Sequence, residues 1–240
     1  MRRLAALIVI SALAAAGAQA QTPADPSGAL EIEGATYAEF DERTGVLTLR
    51  GLPVTIRRGV MQLRAPSIVY DAGRRLLQAS GGVHYADARA VLDAPRVTVW
   101  IDEERVLAED GVRGIQGQGP EAVTLRAARL EVFGRDGRAV ATGGVEMSTQ
   151  EMTLTAARVE ATQAREEIVA EGDARVVRAD IDGRAPRILV RRSEGTAVLS
   201  GGAVVRQGAN EARAATITVD LRRRRFTAEG QAILVLHPTR

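Results

Sequence analysis

Histidine is the side chain most often used for acid–base catalysis near neutral pH, and this 240-residue chain contains only two, His84 and His237. His237 lies three residues from the C-terminus. A catalytic triad or a multi-histidine metal site needs several such groups converging in one place. We therefore expect His84 to occupy an ordinary strand position. We also expect a protein that is not an enzyme and holds no catalytic residue, metal or cofactor.

Cysteine and lysine are both absent, so the 32 cationic side chains are all arginine. Without cysteine, no disulfide, thiolate nucleophile or zinc–thiolate site can form. Without lysine, there is no Schiff-base chemistry and no lysine for a phosphate-binding loop. The stability of the chain must then come from packing and from the pairing of strands.

Carboxylates are plentiful, but the most clustered ones fall in predicted turns, where solvated charge is expected. They are Asp102, Glu103, Glu104, Glu166 and Glu167. A pair of carboxylates for glycoside hydrolysis stays an open alternative, although nothing in the pattern singles one out. Parallel β-helix enzymes also repeat at regular intervals, but their repeats are usually shorter than this one and are not hairpinned.

The N-terminus has the pattern of a secretory signal over residues 1–20, with cleavage expected after Ala20. Its apolar stretch of about thirteen residues is short for a membrane helix, which needs roughly twenty, and an uncleaved anchor is the alternative. Residues 21–29 are expected to form a flexible leader, and residues 30–240 a single domain. The signal contains two of the 32 arginines, so the exported chain has 32 − 2 = 30 cations against 30 acids. This neutral balance, with only 3% aromatic residues, argues against nucleic-acid binding.

A glycine signature recurs along the chain at intervals of 28 to 33 residues. The marks are Gly51, Gly82, Gly111, Gly144, Gly172, Gly202 and Gly230. Between marks, apolar and polar residues alternate with period two, as in Leu63–Tyr70, which predicts half-buried strands. The alternation changes phase at an Ala-Pro or Ala-Ala pair, and proline in strands is found chiefly at bulges and edges. We expect a bulge or corner there, at Pro66, Pro95 and Pro186.

Charged turns separate successive strands, which predicts an antiparallel meander. The first hairpin is expected within Leu30–Leu49, turning at Asp41–Gly45. The predicted fold class is therefore all-β: a folded-over antiparallel β-jelly-roll, built from strand-hairpin repeats of about 30 residues, with open edges. Strand Ala232–Leu236 includes an uncharged Ile-Leu-Val run, so we expect strand addition and head-to-tail self-association at the edges.

One face of the kinked strands supplies the candidate lipid-binding residues, although most of them are expected to be simply core. This predicted groove lining comprises Leu63, Ile68, Tyr70, Leu92, Val97, Val99, Leu125, Leu130, Val132, Leu154, Val159, Ile188, Val190, Ile217 and Val219. The basic run Arg222–Arg225 could contact lipid phosphates or an anionic membrane, but it occupies a predicted turn, and a solvated hairpin tip is the stronger interpretation.

The cadence of Gly82-Val83 followed by Leu92-Asp93-Ala94, with Ser67–Asp71 ending in Tyr-Asp, resembles the LptA/OstA-like family of lipopolysaccharide-transport proteins. That family includes the organic solvent tolerance protein-like N-terminal domain. The resemblance extends over roughly Leu30–Leu236. It implies a periplasmic jelly roll whose apolar groove shields acyl chains between the inner and outer membranes. The implied partners are lipopolysaccharide or another acylated lipid, and related jelly-roll domains of the inner- and outer-membrane transport components.

This chain departs from the family's bridge protein in its length, its lack of lysine and its neutral balance of charge. Because a phosphorylated lipid A would favour a basic rim, the identity of the lipid stays open, with glycolipids and phospholipids as alternatives. A different class of function also stays open, namely an exported structural or adhesive β-repeat scaffold with a dry core and no ligand.

Overall fold

The computed structural model describes residues 31–119, 122–223 and 225–237. The predicted signal peptide and leader lie outside these residues, as does the cleavage site. The chain divides into two compact units. Unit 1 contains residues up to Gly119 together with Ala128–Ala139, and unit 2 contains Pro120–Ala127 together with the chain from Val140 onward. In the described ranges, no helix is long and apolar enough to cross a membrane.

Fifteen β-strands are formed by the described residues, and all belong to one sheet. In chain order they are β1 Glu31–Asp41, β2 Val46–Arg58, β3 Met61–Asp71, β4 Leu76–Ala86, β5 Ala90–Trp100, β6 Arg105–Gln116, β7 Val123–Phe133, β8 Arg138–Ser148, β9 Met152–Thr162, β10 Glu167–Arg178, β11 Ile181–Arg191, β12 Thr196–Gln207, β13 Asn210–Asp220, β14 Arg225–Glu229 and β15 Ile233–Val235.

From β1 to β14, consecutive strands are neighbours in the sheet. The pairings are antiparallel within unit 1 from β1 to β6 and within unit 2 from β9 to β14. The short strand β15 pairs with β13. The path begins at β1 and ends at β14 without closing. The predicted all-β, jelly-roll-like open sheet of hairpin repeats is therefore confirmed, including a first hairpin that turns between Asp41 and Val46.

Two kinds of connection alternate along the chain. Four-residue turns, such as 72–75 and 192–195, follow the odd-numbered strands from β1 to β13. Connections of two or three residues, such as 59–60 and 179–180, follow the even-numbered strands except β6, whose connection to β7 comprises residues 117–122. We call the part of a strand between its four-residue turn and the kink its long-turn half, and the other part its short-turn half.

The kink appears at the predicted place in the burial pattern. In β3, Leu63 and Ala65 are buried two residues apart, but the next buried side chain, Ile68, follows after three. Both Pro66 and the residue after it point away from the core as a result. The register between β3 and β4 shifts at this point, between Arg64 and Ser67.

The extra residue of each bulge, however, lies on the glycine strand. Opposite the three-residue step in β3, β4 takes a four-residue step from Ser80 to His84. Gly81 and Gly82 occupy that step with φ of +91° and +101°, values that L side chains rarely adopt. The glycine signature of the sequence is thus the backbone requirement of this bulge.

The first residue of the glycine pair also packs against the kink of the preceding strand. A Cβ added at Gly81 would lie 3.1 Å from the ring of Pro66, and one added at Gly201 would lie 3.2 Å from the ring of Pro186. At Gly172 it would lie 2.6 Å from Cβ of Ala157. The two signatures of the repeat, glycine and Ala-Pro or Ala-Ala, therefore contact each other across neighbouring strands.

A side chain in the bulge should destabilise the fold in two ways. Gly172→Ala places an L residue at a left-handed φ, which costs roughly 1–2 kcal/mol, and it creates a clash with Ala157 that costs roughly 1–3 kcal/mol. Gly144→Ala is the matched control, because its φ of +64° is also left-handed but a Cβ there would meet nothing within 4 Å. We expect Gly172→Ala to lower the free energy of unfolding clearly more than Gly144→Ala, measured by denaturant titration. Equal losses would contradict the packing contact.

Candidate functional site

The candidate site is the apolar interior of the sheet. Thirteen of the predicted lining residues are at most 4% exposed. In unit 1 these are Leu63, Ile68, Leu92, Val97, Val99, Leu130 and Val132, and in unit 2 they are Leu154, Val159, Ile188, Val190, Ile217 and Val219. Tyr70 and Leu125 are only half-buried. The predicted face is thus the buried one, while its role in binding lipid stays a prediction.

The prediction covered only the odd-numbered strands, so it missed the interior residues of the glycine strands. Tyr85 of β4 is the largest of them and is fully buried. Its hydroxyl donates a hydrogen bond to Asp87 at 2.6 Å, and burial raises the pKa of this hydroxyl far above its ordinary value. The signal was present in the sequence, because Val83 and Tyr85 continue the period-two alternation after the glycines.

Apart from Tyr85, whose hydroxyl is bonded to Asp87, no side chain with a polar group is fully buried in the described residues. Acidic and basic side chains lie at the ends of the strands or on the outer face. The buried face of each unit is therefore almost entirely apolar, and covering it with acyl chains would leave no buried polar side-chain atom of the described residues without a partner.

In unit 2 the two halves of the strands face each other across this interior. Gly183 lies in the short-turn half of β11, and Leu199 lies in the long-turn half of β12, where it pairs with Ile188. A Cβ on Gly183 would nevertheless lie 2.7 Å from Cδ2 of Leu199, and 3.2 Å from Cγ1 of Val176. The sheet of unit 2 is thus folded over, and Leu199 reaches from one half to the other.

A contact between strand ends closes unit 2 on one side. Arg178 ends the short-turn half of β10, and its guanidinium donates one hydrogen bond to the carbonyl of Leu221, which follows the long-turn half of β13. A second hydrogen bond joins Arg178 to the carboxylate of Glu151 at 2.6 Å. A cavity of about 410 Å³ lies here, with buried Ile181 in its wall and Arg222 at its margin.

Each of the two histidines has a polar partner. His84 occupies a position within strand β4, as predicted; it lies on the outer face, and its Nδ1 is 2.7 Å from a carboxylate oxygen of Asp93 on β5. The backbone N–H of His237 donates to Asn210. Among the described residues, no group of three or more His, Asp or Glu side chains is placed to hold a metal ion.

The clustered carboxylates lie in or beside turns, as predicted. Asp102, Glu103 and Glu104 form most of the turn between β5 and β6, and Asp102 accepts a hydrogen bond from Arg75 of the adjacent turn. Glu166 ends a turn and Glu167 begins β10. Asp102, Glu103, Glu104 and Glu167 each lie within 4.0 Å of an arginine side chain.

The basic run Arg222–Arg225 lies at a hairpin tip. This location agrees with the stronger of the two interpretations, which is a solvated turn rather than a contact with lipid phosphates. Arg222 and Arg223 belong to the turn after β13, Arg225 begins β14, and residue 224 lies outside the described part. The guanidinium of Arg222 donates to the carbonyl of Ser193 in the neighbouring turn at 2.8 Å.

The two ends of the sheet expose apolar side chains. In β1, Ile32, Tyr37 and Phe40 are between 41% and 59% exposed. At the other end, the residues from Ile233 to Leu236 are between 47% and 65% exposed. These are the edges at which the sequence predicted strand addition.

Residues 124–225 match the sequence profile of a family described as LptA/(LptD N-terminal domain) LPS transport protein, which confirms the predicted resemblance to the LptA/OstA-like family. No curated protein matches the chain. Similar solved structures include LptH, described as the LptA homologous periplasmic component of the conserved lipopolysaccharide transport device from Pseudomonas aeruginosa. It is 19% identical, with a TM-score of 0.46, over 48% of this chain and 95% of that chain.

The contact between the halves predicts a specific coupling. Gly183→Ala should lower the free energy of unfolding by roughly 1–3 kcal/mol, because its Cβ overlaps Leu199. Leu199→Ala should cost roughly 2–5 kcal/mol by leaving a cavity. In the double variant the alanine at position 183 no longer meets a leucine, so its cost should largely disappear. Additive losses in the thermodynamic cycle, measured by denaturant titration, would show that the two halves do not touch.

Proposed function

We propose that this LptA/OstA-like chain is a periplasmic lipid-transport protein that shields the acyl chains of a lipopolysaccharide-like lipid between the inner and outer membranes. The observation that carries the proposal is the interior face, which is apolar along the described strands except for the Tyr85 hydroxyl, itself bonded to Asp87. The family match over residues 124–225 supports the same function. Shielding of this kind is transport by binding and requires no catalytic group.

The energetics of such binding need no special motif. Each methylene of an acyl chain that leaves water contributes about 0.8 kcal/mol, so several chains in one groove would bind tightly. This is the physical reason that lipid-contacting residues resemble core residues. The candidate contacts are the predicted lining residues and, in the glycine strands, Tyr85 and Leu199.

A lipid must first gain access, because the interior side chains are covered by one another. Leu199 fills the space over Gly183, and Arg178 bonds Leu221 across the strand ends. Loading would therefore require the two halves of unit 2 to separate. The same close packing is what favours the rival function, a structural or adhesive scaffold whose core is permanently dry.

Bridging between membranes would use the edges of the sheet. An unpaired edge strand offers its backbone N–H and C=O groups to another strand. The edge strand β1 contains Glu31, Glu33 and Glu39 and no cation, whereas the turn before β14 is arginine-rich. Opposite charge at the two ends favours head-to-tail addition of a second copy, or of a related jelly-roll domain.

Lipid carriage can be tested on the exported protein without substitution. We expect native mass spectrometry to show a bound mass, and lipid extraction to identify an acylated lipid. A photo-crosslinking amino acid at Ile188, which points into the interior, should capture the lipid, whereas the same group at the neighbouring exposed Arg187 should not. The proposal would be contradicted if the protein is lipid-free, takes up no added lipopolysaccharide or phospholipid, and crosslinks nothing at position 188. The dry scaffold would then be the remaining function.

Edge addition predicts an oligomer that one substitution at an edge abolishes. Leu234→Pro removes a backbone donor from β15 and should shift the protein from concentration-dependent oligomers to monomer, as measured by sedimentation velocity. Val60→Pro is the control, because Val60 is also an exposed apolar residue but lies in a turn within the sheet. A wild-type protein that stays monomeric at high concentration would contradict head-to-tail assembly.

A further inference from the structure

The outer face of β10 to β13 has an uneven distribution of charge. The short-turn halves present four arginines, Arg175, Arg184, Arg206 and Arg213, and two strand carboxylates, Asp182 and Glu211. A third carboxylate, Asp173, lies in the adjoining bulge of β10 and lines a depression with Arg175 and Arg184, so the arginines still outnumber the carboxylates by four to three. The long-turn halves of the same strands present two arginines, Arg187 and Arg191, and three carboxylates, Glu167, Glu171 and Asp220. Surplus positive charge is therefore confined to one half of the outer face, although the exported chain as a whole is neutral.

Each carboxylate in the short-turn halves is shared by two arginines. Arg175 donates two hydrogen bonds to Asp182, at 2.8 and 2.7 Å, and Nε of Arg184 lies 3.6 Å from the same carboxylate. Glu211 accepts from Arg206 at 2.7 Å and from Arg213 at 2.5 Å. Hydrogen bonds from these guanidiniums hold the pKa of both carboxyls below their ordinary values, so both are ionised at neutral pH.

A small depression lies among these side chains. It has a volume of about 190 Å³ and is lined by Asp182, Arg184, Val204, Arg206 and Arg213. Val204 pairs with Arg184 on one side and with Arg213 on the other, so the two guanidinium-bearing side chains flank an apolar floor. This volume is several times what one water molecule needs, so a tetrahedral oxyanion fits.

The guanidiniums retain donors for such a ligand. An arginine has five N–H groups, and Arg184, Arg206 and Arg213 share only two carboxylates between them and Arg175. Arg184, Arg206 and Arg213 are also between 54% and 59% exposed, so a ligand can reach them from solvent. Planar guanidiniums bind phosphate oxygens in pairs and are the preferred side chains for this purpose.

We propose that this outer-face depression over Val204 binds the phosphate group of a phosphorylated ligand through Arg184, Arg206 and Arg213. Asp182 and Glu211 hold the three guanidiniums in place from the side, and the phosphate supplies the negative charge that the cluster lacks. The site is separate from the apolar interior and does not depend on the proposed transport function. Its ligand chemistry is shared by free phosphate and by the headgroup of a phosphorylated lipid.

The test uses the exported chain with two probes, inorganic phosphate and vesicles of phosphatidylcholine with or without phosphatidic acid. We expect a saturable change in the Nε–H NMR signals of the three arginines. The change should appear with inorganic phosphate if a free anion is the ligand. It should appear only with vesicles containing phosphatidic acid if a lipid headgroup is the ligand. Either result supports a phosphate site, and no saturable change with either probe overturns it.

The double variant Arg184→Gln/Arg213→Gln should weaken phosphate binding at least about tenfold, because it removes two guanidiniums that donate charge-assisted hydrogen bonds to the phosphate. Arg96→Gln is the matched control, because Arg96 is 60% exposed and pairs with the single carboxylate of Asp110 at 2.7 Å. Equal affinities of the two variants for phosphate would show that the arginines of the cluster form structural ion pairs only. If the double variant unfolds, Arg213→Gln alone replaces it. Crosslinking of lipid at Ile188 should be unchanged, which separates a failure of this site from a failure of lipid carriage.

Discussion

The bulge opposite each Ala-Pro or Ala-Ala pair is the constraint on which the rest of the structure depends. A strand with strict period-two alternation would keep one face apolar along its whole length, and a three-residue step would turn that face outward. The four-residue step on the glycine strand accommodates the three-residue step on its neighbour, so that buried residues meet buried residues on both sides of the kink. Positive φ at the glycines makes this possible, and their contact with Pro66, Ala157 or Pro186 keeps the bulge in register with the kink.

Repetition of this bulge explains how a chain without cysteine is held together. Each strand adds two short apolar segments to the interior, one on each side of its kink, and the backbone pairs with its neighbours in the sequence. Each hairpin contacts mainly the hairpins next to it, so the sheet can be lengthened by further repeats that pack in the same way. In unit 2, the two sets of segments also meet each other, as Leu199 and Gly183 show.

Charge is kept on the outer face and at the strand ends, where it has two different patterns. Many arginines form ion pairs with carboxylates, within a strand or across strands, and exposed pairs of this kind contribute little to stability. The short-turn halves of β10 to β13 are different because carboxylates are too few there. These arginines point outward and take no part in the packing of the interior. Packing therefore does not explain why arginine is in surplus at these positions.

The strand pattern, the kinks, the hairpin order and the buried face were all determined by the sequence itself, because alternation and turn residues are local signals. Leu63, Ile68 and Ile188 were recognised as interior from their spacing alone. Tyr85 and Leu199 were missed because their strands were recognised by glycine and not by their apolar residues. Only the tertiary structure decided which strand of each pair bulges, and that Arg178 meets Leu221. It also decided that Arg184, Arg206 and Arg213 surround one depression. These residues lie on three different strands, and their proximity depends on a register that each bulge shifts by one residue, which no local pattern encodes.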